Sequence, residues 1–346
     1  MKLDLSGHVV LPGLINAHDH LEFNLFPRLG RGPYANSGDW ARDIYHPARS
    51  PIREQLCIPL RFRLWWGALK NLLSGATTVC HHNPFQADVF GANFPVRVVR
   101  RFAWAHSLEF EPDVQSRFRR APANRPFLIH CGEGTDAAAL AEISALDALG
   151  VLCARTAVVH GVALTTRSLE LMRRRAAALV WCPTSNLNLF GRTVSRTVLR
   201  SGIPIALATD SALSAHVDLL DELAVARRYV PASRLLELVT TQPARILRLP
   251  DSYGPRDWIA LRSASANPAD ALLHGSIALV VVRGRIRLIS QELVRQLPSA
   301  RRRQFQPFAV EGREPVLVDA DIRGLQRAAR RYLGPVLRLA GKRVLS

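Results

Sequence analysis

The stretch LPGLINAHDHLEFN, Leu11 to Asn24, sets Pro12 and Gly13 ahead of a short apolar run and then places His18 and His20 either side of Asp19. Pro and Gly punctuate its start, and the apolar run has the length of a buried strand, so the stretch reads as a strand that ends on histidines. Side chains alternate along a strand, which sends His18 and His20 to one side and Asp19 to the other. Two imidazoles on one side of a strand end suit a shared cation, but a His-x-His tripeptide alone is a weak signal.

The same grammar recurs down the chain. GATTVCHHN (residues 75–83) is a β-branched strand leading into His81 and His82, and PVRVVRRF (95–102) is a third candidate. RPFLIHCGEG (125–134) ends on His130, TAVVHG (156–161) on His160, ALVWCPTSN (178–186) on Ser185 and Asn186, and IPIALATDSA (203–212) on Asp210. Helical patterns lie between them: Ser50-Pro51 reads as an N-cap and first turn, Leu56, Leu60 and Leu64 share one face, Gly75 is a stop, and 136–149 is a second amphipathic helix. Alternation of short strands and helices predicts βα units with a parallel sheet, and in a TIM-like (β/α) barrel the strand C-termini build the site. His18, His20, His130, His160 and Asp210 then meet at one mouth from four strands, a mixed nitrogen and oxygen set suited to zinc, iron or manganese.

Composition narrows the classes. The chain has 346 residues, which suits one barrel with an appendage, and no apolar run approaches the ~20 residues of a membrane helix. No export signal is expected, and Cys57, Cys80, Cys131, Cys153 and Cys182 form no Cys-x-x-Cys pair, which favours reduced thiols and a cytoplasmic location. The formal charge is +18 and almost entirely arginine, with lysine only at Lys2, Lys70 and Lys342. The arginine clusters are scattered and lack interleaved aromatics, so neither nucleic acid nor membrane is expected as a partner despite the charge. A small-molecule substrate is.

PGLINAHDHL, FLIHCGEG, VVHG, CPTSNL and ATDSA, in this order, resemble the amidohydrolase superfamily over roughly Val9 to Leu249, and His130 with Glu133 resembles its mononuclear aminohydrolase and chlorohydrolase branch. The resemblance implies that His18, His20, His130 and Asp210 hold one divalent ion, zinc first, with iron or manganese as alternatives. Glu133 matches the proton shuttle. His160 matches the histidine that faces the activated water or the substrate, with ligand and catalyst both left open, and Asp210 also serves in catalysis. The absence of lysine between Lys70 and Lys342 removes the bridging lysine of the binuclear branches. The implied activity is hydrolysis of a non-peptide C–N bond, deaminase-like, on an amidine-like or heterocyclic carbon; the alternatives are a dechlorinating hydrolase or an impaired barrel serving as a binding or assembly module.

The resemblance also sets expectations for the remainder. Residues 1–10 supply a partial β-sandwich strand, 11–249 the barrel, 250–290 the sandwich remainder (with ALVVVRGRIRLI, 278–289, as its strands), and 291–346 a basic helical extension that leaves room for a homodimer. The short N-terminal stretch predicts a half-missing sandwich, and the shortage of residues between Phe102 and Arg125 predicts a barrel contracted around its third and fourth strands. The Gly-, Pro- and aromatic-rich segment after the first strand predicts a lid with Glu22, Asn24, Tyr34, Trp40 and Tyr45 as substrate contacts. His81, His82 and His106 are expected to line the pocket, Ser185 and Asn186 to cap a turn, and Cys131 to face away from the metal.

Overall fold

The computed structural model describes residues 2–250 and 256–345. Strand β1 (His8–Pro12) is followed by eight strands that pair only in parallel: β2 (Leu14–Asp19), β3 (Ala76–His81), β4 (Arg97–Val98), β5 (Ala103–Ala105), β6 (Phe127–Cys131), β7 (Thr156–His160), β8 (Ala178–Trp181) and β9 (Ile205–Leu207). Then come β10 (Trp258–Arg262), β11 (Ser276–Val282), β12 (Arg285–Ser290), β13 (Gln306–Val310), β14 (Val316–Val318), β15 (Arg338–Leu339) and β16 (Lys342–Leu345). The parallel strands form one sheet of β2-β3-β4 and another of β5 through β9, while the rest make a third sheet in the order β1-β10-β11-β12-β14-β13-β16-β15. The expected boundary between barrel and sandwich falls beside residues 251–255, outside the described residues.

Parallel strands covered on both faces read as continuous apolar runs, and every residue of β2, β3, β6, β7, β8 and β9 is buried. One face, with Leu14, Val79, Phe127, Val158 and Leu179, packs in the larger core with residues of the surrounding helices. The other, with Ile15, Ala17, Leu128, Val159, Val180 and Ala206, forms a separate inner cluster. The two parallel sheets are joined by only four residues, Val99–Phe102, with no helix between, and the following stretch holds β5 and the helix Val114–Arg120. At the opposite seam the Asp210 amide donates to the His18 carbonyl at 3.2 Å, which brings the first and last parallel strands together at the level of the site.

Two expectations change. The single helix carrying Leu56, Leu60 and Leu64 is two helices, Ile52–Cys57 and Leu60–Leu73, because Pro59 interrupts the amide ladder; Leu56 ends exposed while Leu64 is buried. Residues 291–346 are not a helical appendage: they supply β13 through β16 to the large sheet, and their one long helix, Ile322–Leu333, packs against Leu60–Leu73. The arginine-rich periodicity of that helix was legible, but strands of two to five residues among charged neighbours carry little period of their own.

Candidate metal centre

Simple alternation does not place His18 correctly, because Ile15 and Ala17 already face the inner cluster. Between Asn16 and Asp19 the register of β2 against β3 slips: Asn16 pairs with Val79 and Asp19 with His81, three steps against two. This extra residue is a bulge that re-aims the strand end. It turns His18 and His20 into the mouth and Asp19 outward against the helix Leu60–Leu73. His160 and Asp210 adopt left-handed backbone conformations, φ +75° and +56°. Such strain costs about 1–3 kcal/mol per residue and persists where the surroundings impose it.

The hydrogen bonds then decide which ring nitrogens carry protons. His82 Nε2 lies 3.0 Å from the Ala105 carbonyl, which can only accept, so Nε2 donates and Nδ1 accepts. His18 Nδ1 sits 3.0 Å from that Nδ1 and must donate, leaving a lone pair on His18 Nε2. His130 Nδ1 donates to the His106 carbonyl at 2.8 Å, which bares His130 Nε2. Asn186 uses Nδ2 to donate to the His160 carbonyl at 3.1 Å, so its Oδ1 accepts from His160 Nδ1 at 3.0 Å and His160 Nε2 is bare as well. His160 Nε2 and His20 Nδ1 are buried without any hydrogen-bond partner.

Lone pairs of His18 Nε2 and His130 Nε2 therefore face each other at 3.2 Å, with Asp210 Oδ1 3.6 Å from His18 Nε2 and 3.7 Å from His20 Nε2. His18 belongs to two sets of ligand atoms that lie within 4.8 Å of one another, one with His130 and His160, one with His20 and Asp210. Buried bare nitrogens converging on a carboxylate can hold a cation between them, and a mixed nitrogen and oxygen set is of the kind that binds divalent ions. Asp210 is oriented by Ser185 and Ser214, whose hydroxyls donate to Oδ2 at 2.8 and 2.6 Å.

Glu133 is the neighbouring acid. Its Oε1 is 3.4 Å from His160 Nε2, and burial pushes its carboxyl up to about 7 against the pull of His160. Burial likewise lowers His18, His81 and His106 to about 4, and His82 and His130 well below the usual imidazole range.

Beneath the site lies a network the sequence did not disclose. Asp19, fully buried, receives Lys70 Nζ at 2.8 Å, Asn71 Nδ2 at 2.7 Å and Asn24 Nδ2 at 2.9 Å. Lys70 also donates to Thr209 Oγ1 at 2.9 Å and to the Asp210 carbonyl at 3.4 Å, so one buried ion pair ties the ends of β2 and β9 to the helix between them.

The site opens into a cavity of about 440 Å³. Of the five residues expected to contact substrate, Trp40 and Tyr45 line the cavity, with Phe23, Ser37 and Ile44, and the other three do not. Asn24 is buried on Asp19, Glu22 faces His81 and Asn83, and the Tyr34 hydroxyl bonds Asp43. The lid helix Ser37–Ile44 is fastened beside Glu133 by the Ser37 amide to the Glu133 carbonyl, 3.0 Å, and the Thr135 amide to the Ala35 carbonyl, 2.7 Å. His106 lines the cavity, whereas His81 and His82 lie behind it, and Ser185 and Asn186 orient Asp210 and His160 rather than cap a turn. Phe110 and Glu111, from the loop after β5, complete the wall unforeseen.

A family model described as the amidohydrolase family matches residues 119–255, the stretch that carries His130, Glu133, His160 and Asp210. This match and the relatives below support the amidohydrolase superfamily for the chain. The chain is 24% identical over 324 residues to a 5-methylthioadenosine/S-adenosylhomocysteine deaminase of Pyrococcus furiosus, covering 75% of each chain. It is 25% identical to a protein of the same name from Syntrophobacter fumaroxidans, over 80% of this chain and 82% of the other. Among solved structures, a zinc-bound adenosine deaminase from Xanthomonas campestris superposes with a TM-score of 0.69 at 18% identity, covering 94% of this chain and 85% of that one. A zinc-complexed atrazine chlorohydrolase from Arthrobacter aurescens superposes with a TM-score of 0.70 at 16% identity, covering 94% and 88%.

The buried histidines make acid lability a direct expectation for metal-free protein. Their folded-state pKa values lie below the unfolded value near 6.5, so the unfolded chain takes up protons first as pH falls. Their stability contribution is full above pH ~6.5 and lost on the way to ~4. Glu133 and Glu142, both raised to about 7 by burial, and Glu22 and Glu222, also raised by burial, act in the opposite sense above ~4.5, but the seven histidines lowered by burial outnumber these four carboxylates. Melting of chelator-treated protein should fall from pH 7 to pH 5; a flat or rising profile would show that these rings accept protons freely.

Proposed function

We propose that this chain is a mononuclear, zinc-dependent deaminase that replaces an exocyclic amino group on a planar nitrogen heterocycle with oxygen. The observation that carries the reading is the junction of two features on one cavity wall: bare histidine nitrogens converging with Asp210, and Glu133, raised to about 7, beside them. Hydrolysis of non-peptide C–N bonds is the chemistry of the deaminases it resembles.

In this reading His18, His20, His130 and Asp210 hold the cation, which when bound supplies a water activated as nucleophile near neutral pH. Asp210 keeps Oδ2 pinned by two hydroxyls and turns Oδ1 toward the histidines, where it can also accept a proton from the water. Glu133, poised between its acid and base forms near pH 7, carries a proton to the substrate nitrogen. His160, fixed through Nδ1 by Asn186, presents Nε2 to Glu133 and is the group that shares that proton. The lid residues Trp40 and Phe23 offer apolar surface to a planar ring. The same reading takes the eight parallel strands as a (β/α) barrel over 11–249, contracted where Val99–Phe102 replaces a helical crossover, with 1–10 and 250–290 adding sandwich strands.

An ammonia-release screen tests it. Aminopurines, including 5-methylthioadenosine and S-adenosylhomocysteine, aminopyrimidines, aminotriazines and guanidines are offered to zinc-loaded protein. Ammonia from at least one class is expected. Halide from chlorotriazines with no ammonia anywhere would make the enzyme a dechlorinating hydrolase, and silence throughout would return it to a binding module.

A further inference from the structure

The cavity differs in charge from the molecule that contains it. The chain carries 46 lysines and arginines, yet among the described residues none lines the cavity. Apart from Glu133 and Asp210, which belong to the metal centre, the charged side chain among the described lining residues is Glu111. Two arginines on flanking elements are already engaged by carboxylates. Arg42 of the lid helix bridges Asp39 at 2.6 Å and Glu109 at 3.0 Å, and Arg117 lies 2.9 Å from Glu111. Its lining includes the aromatic side chains of Trp40, Phe23 and Phe110.

We propose that the cavity selects a heterocyclic amine whose substituent is uncharged or cationic, excludes an anionic substituent, and that Glu111 is the residue that sets this preference. It rests on the deaminase reading above and narrows its substrate class. A carboxylate or phosphate entering this space would meet a fixed carboxylate, no free cationic partner among the described lining residues, and apolar walls that replace its hydration poorly. An ammonium or guanidinium would meet Glu111 and aromatic faces, both of which attract cations. Glu111 is partly buried with a side-chain exposure of 17%, so its field is less screened than that of a surface carboxylate. Arg117 lies on the helix Val114–Arg120 with 47% of its side chain exposed and pairs with Glu111 from outside the cavity lining.

The test takes the heterocycle that releases most ammonia and prepares three matched forms bearing an ethyl, a 2-carboxyethyl or a 2-aminoethyl tail. The carboxyethyl form should show kcat/KM at least about tenfold below the ethyl form, and the aminoethyl form should equal or exceed it. Glu111→Gln should shrink both differences, read as ratios of kcat/KM within the variant, to within about threefold. Parity of the carboxyethyl and ethyl forms in the wild type overturns this proposal alone. Unchanged discrimination in Glu111→Gln removes Glu111 as its cause. Absence of ammonia from all three forms overturns the deaminase reading and this proposal with it.

Discussion

Glu133→Gln should lower kcat by roughly 10²–10⁴-fold, the usual worth of a positioned general acid or base, with KM within a few-fold and metal content unchanged. The glutamine keeps the shape and the buried setting but carries no exchangeable carboxyl proton. Glu133 is 3.4 Å from His160 Nε2 and outside the two convergent ligand sets, so its loss should remove proton transfer without emptying the metal site. Because burial holds its carboxyl near 7, the wild-type pH profile should contain a limb close to neutrality that is missing from the residual activity of the variant. A kcat within threefold of wild type would show that the proton travels by another route. Loss of metal alongside activity would make Glu133 a structural support of the ligands instead.

Lys70→Met should destabilise the folded protein by about 3–5 kcal/mol, the cost of breaking a buried ion pair and leaving one charge without its partner. Asp19 has no exposed surface, and its two oxygens keep only amide and hydroxyl donors once Lys70 is gone. The double variant Lys70→Met with Asp19→Asn should recover part of that loss, since no charge is then stranded. Urea unfolding of zinc-loaded proteins at pH 7.5 reads both values. A single-variant loss below about 1 kcal/mol would contradict a buried, ionised pair. The same variant should weaken metal retention, because Lys70 also reaches the carbonyl of Asp210 and Asp19 sits between His18 and His20.

The sequence made the meeting of His18, His20, His130, His160 and Asp210 and the parallel strands legible because both rest on local signals: an apolar run, a polar residue at its end, and the order in which such runs occur. His18, His20, His130, His160 and Asp210 meet because strand ends meet. What stayed hidden depends on partners far away in the chain. Lys70 is one of many positions on an apolar helix, and only the fold shows that Asp19 lies opposite it. His82 read as a pocket residue, but it fixes the tautomer of His18 from behind. The bulge in β2 has no local signature, and the left-handed backbone at His160 and Asp210 is uncommon enough even for histidine and aspartate that sequence alone does not call for it. Of the segment after β2, Trp40 and Tyr45 line the cavity, whereas Glu22, Asn24 and the Tyr34 hydroxyl are engaged by internal contacts.

Metal analysis of the purified protein tests the account most directly. Zinc-loaded wild-type protein, dialysed to remove loosely held ions, should retain about one equivalent of metal, and Asp210→Ala and His18→Ala should each retain far less while still folded by circular dichroism. Well-folded wild-type protein that retains no divalent metal, or that holds two equivalents, would contradict a single-ion centre built from His18, His20, His130 and Asp210.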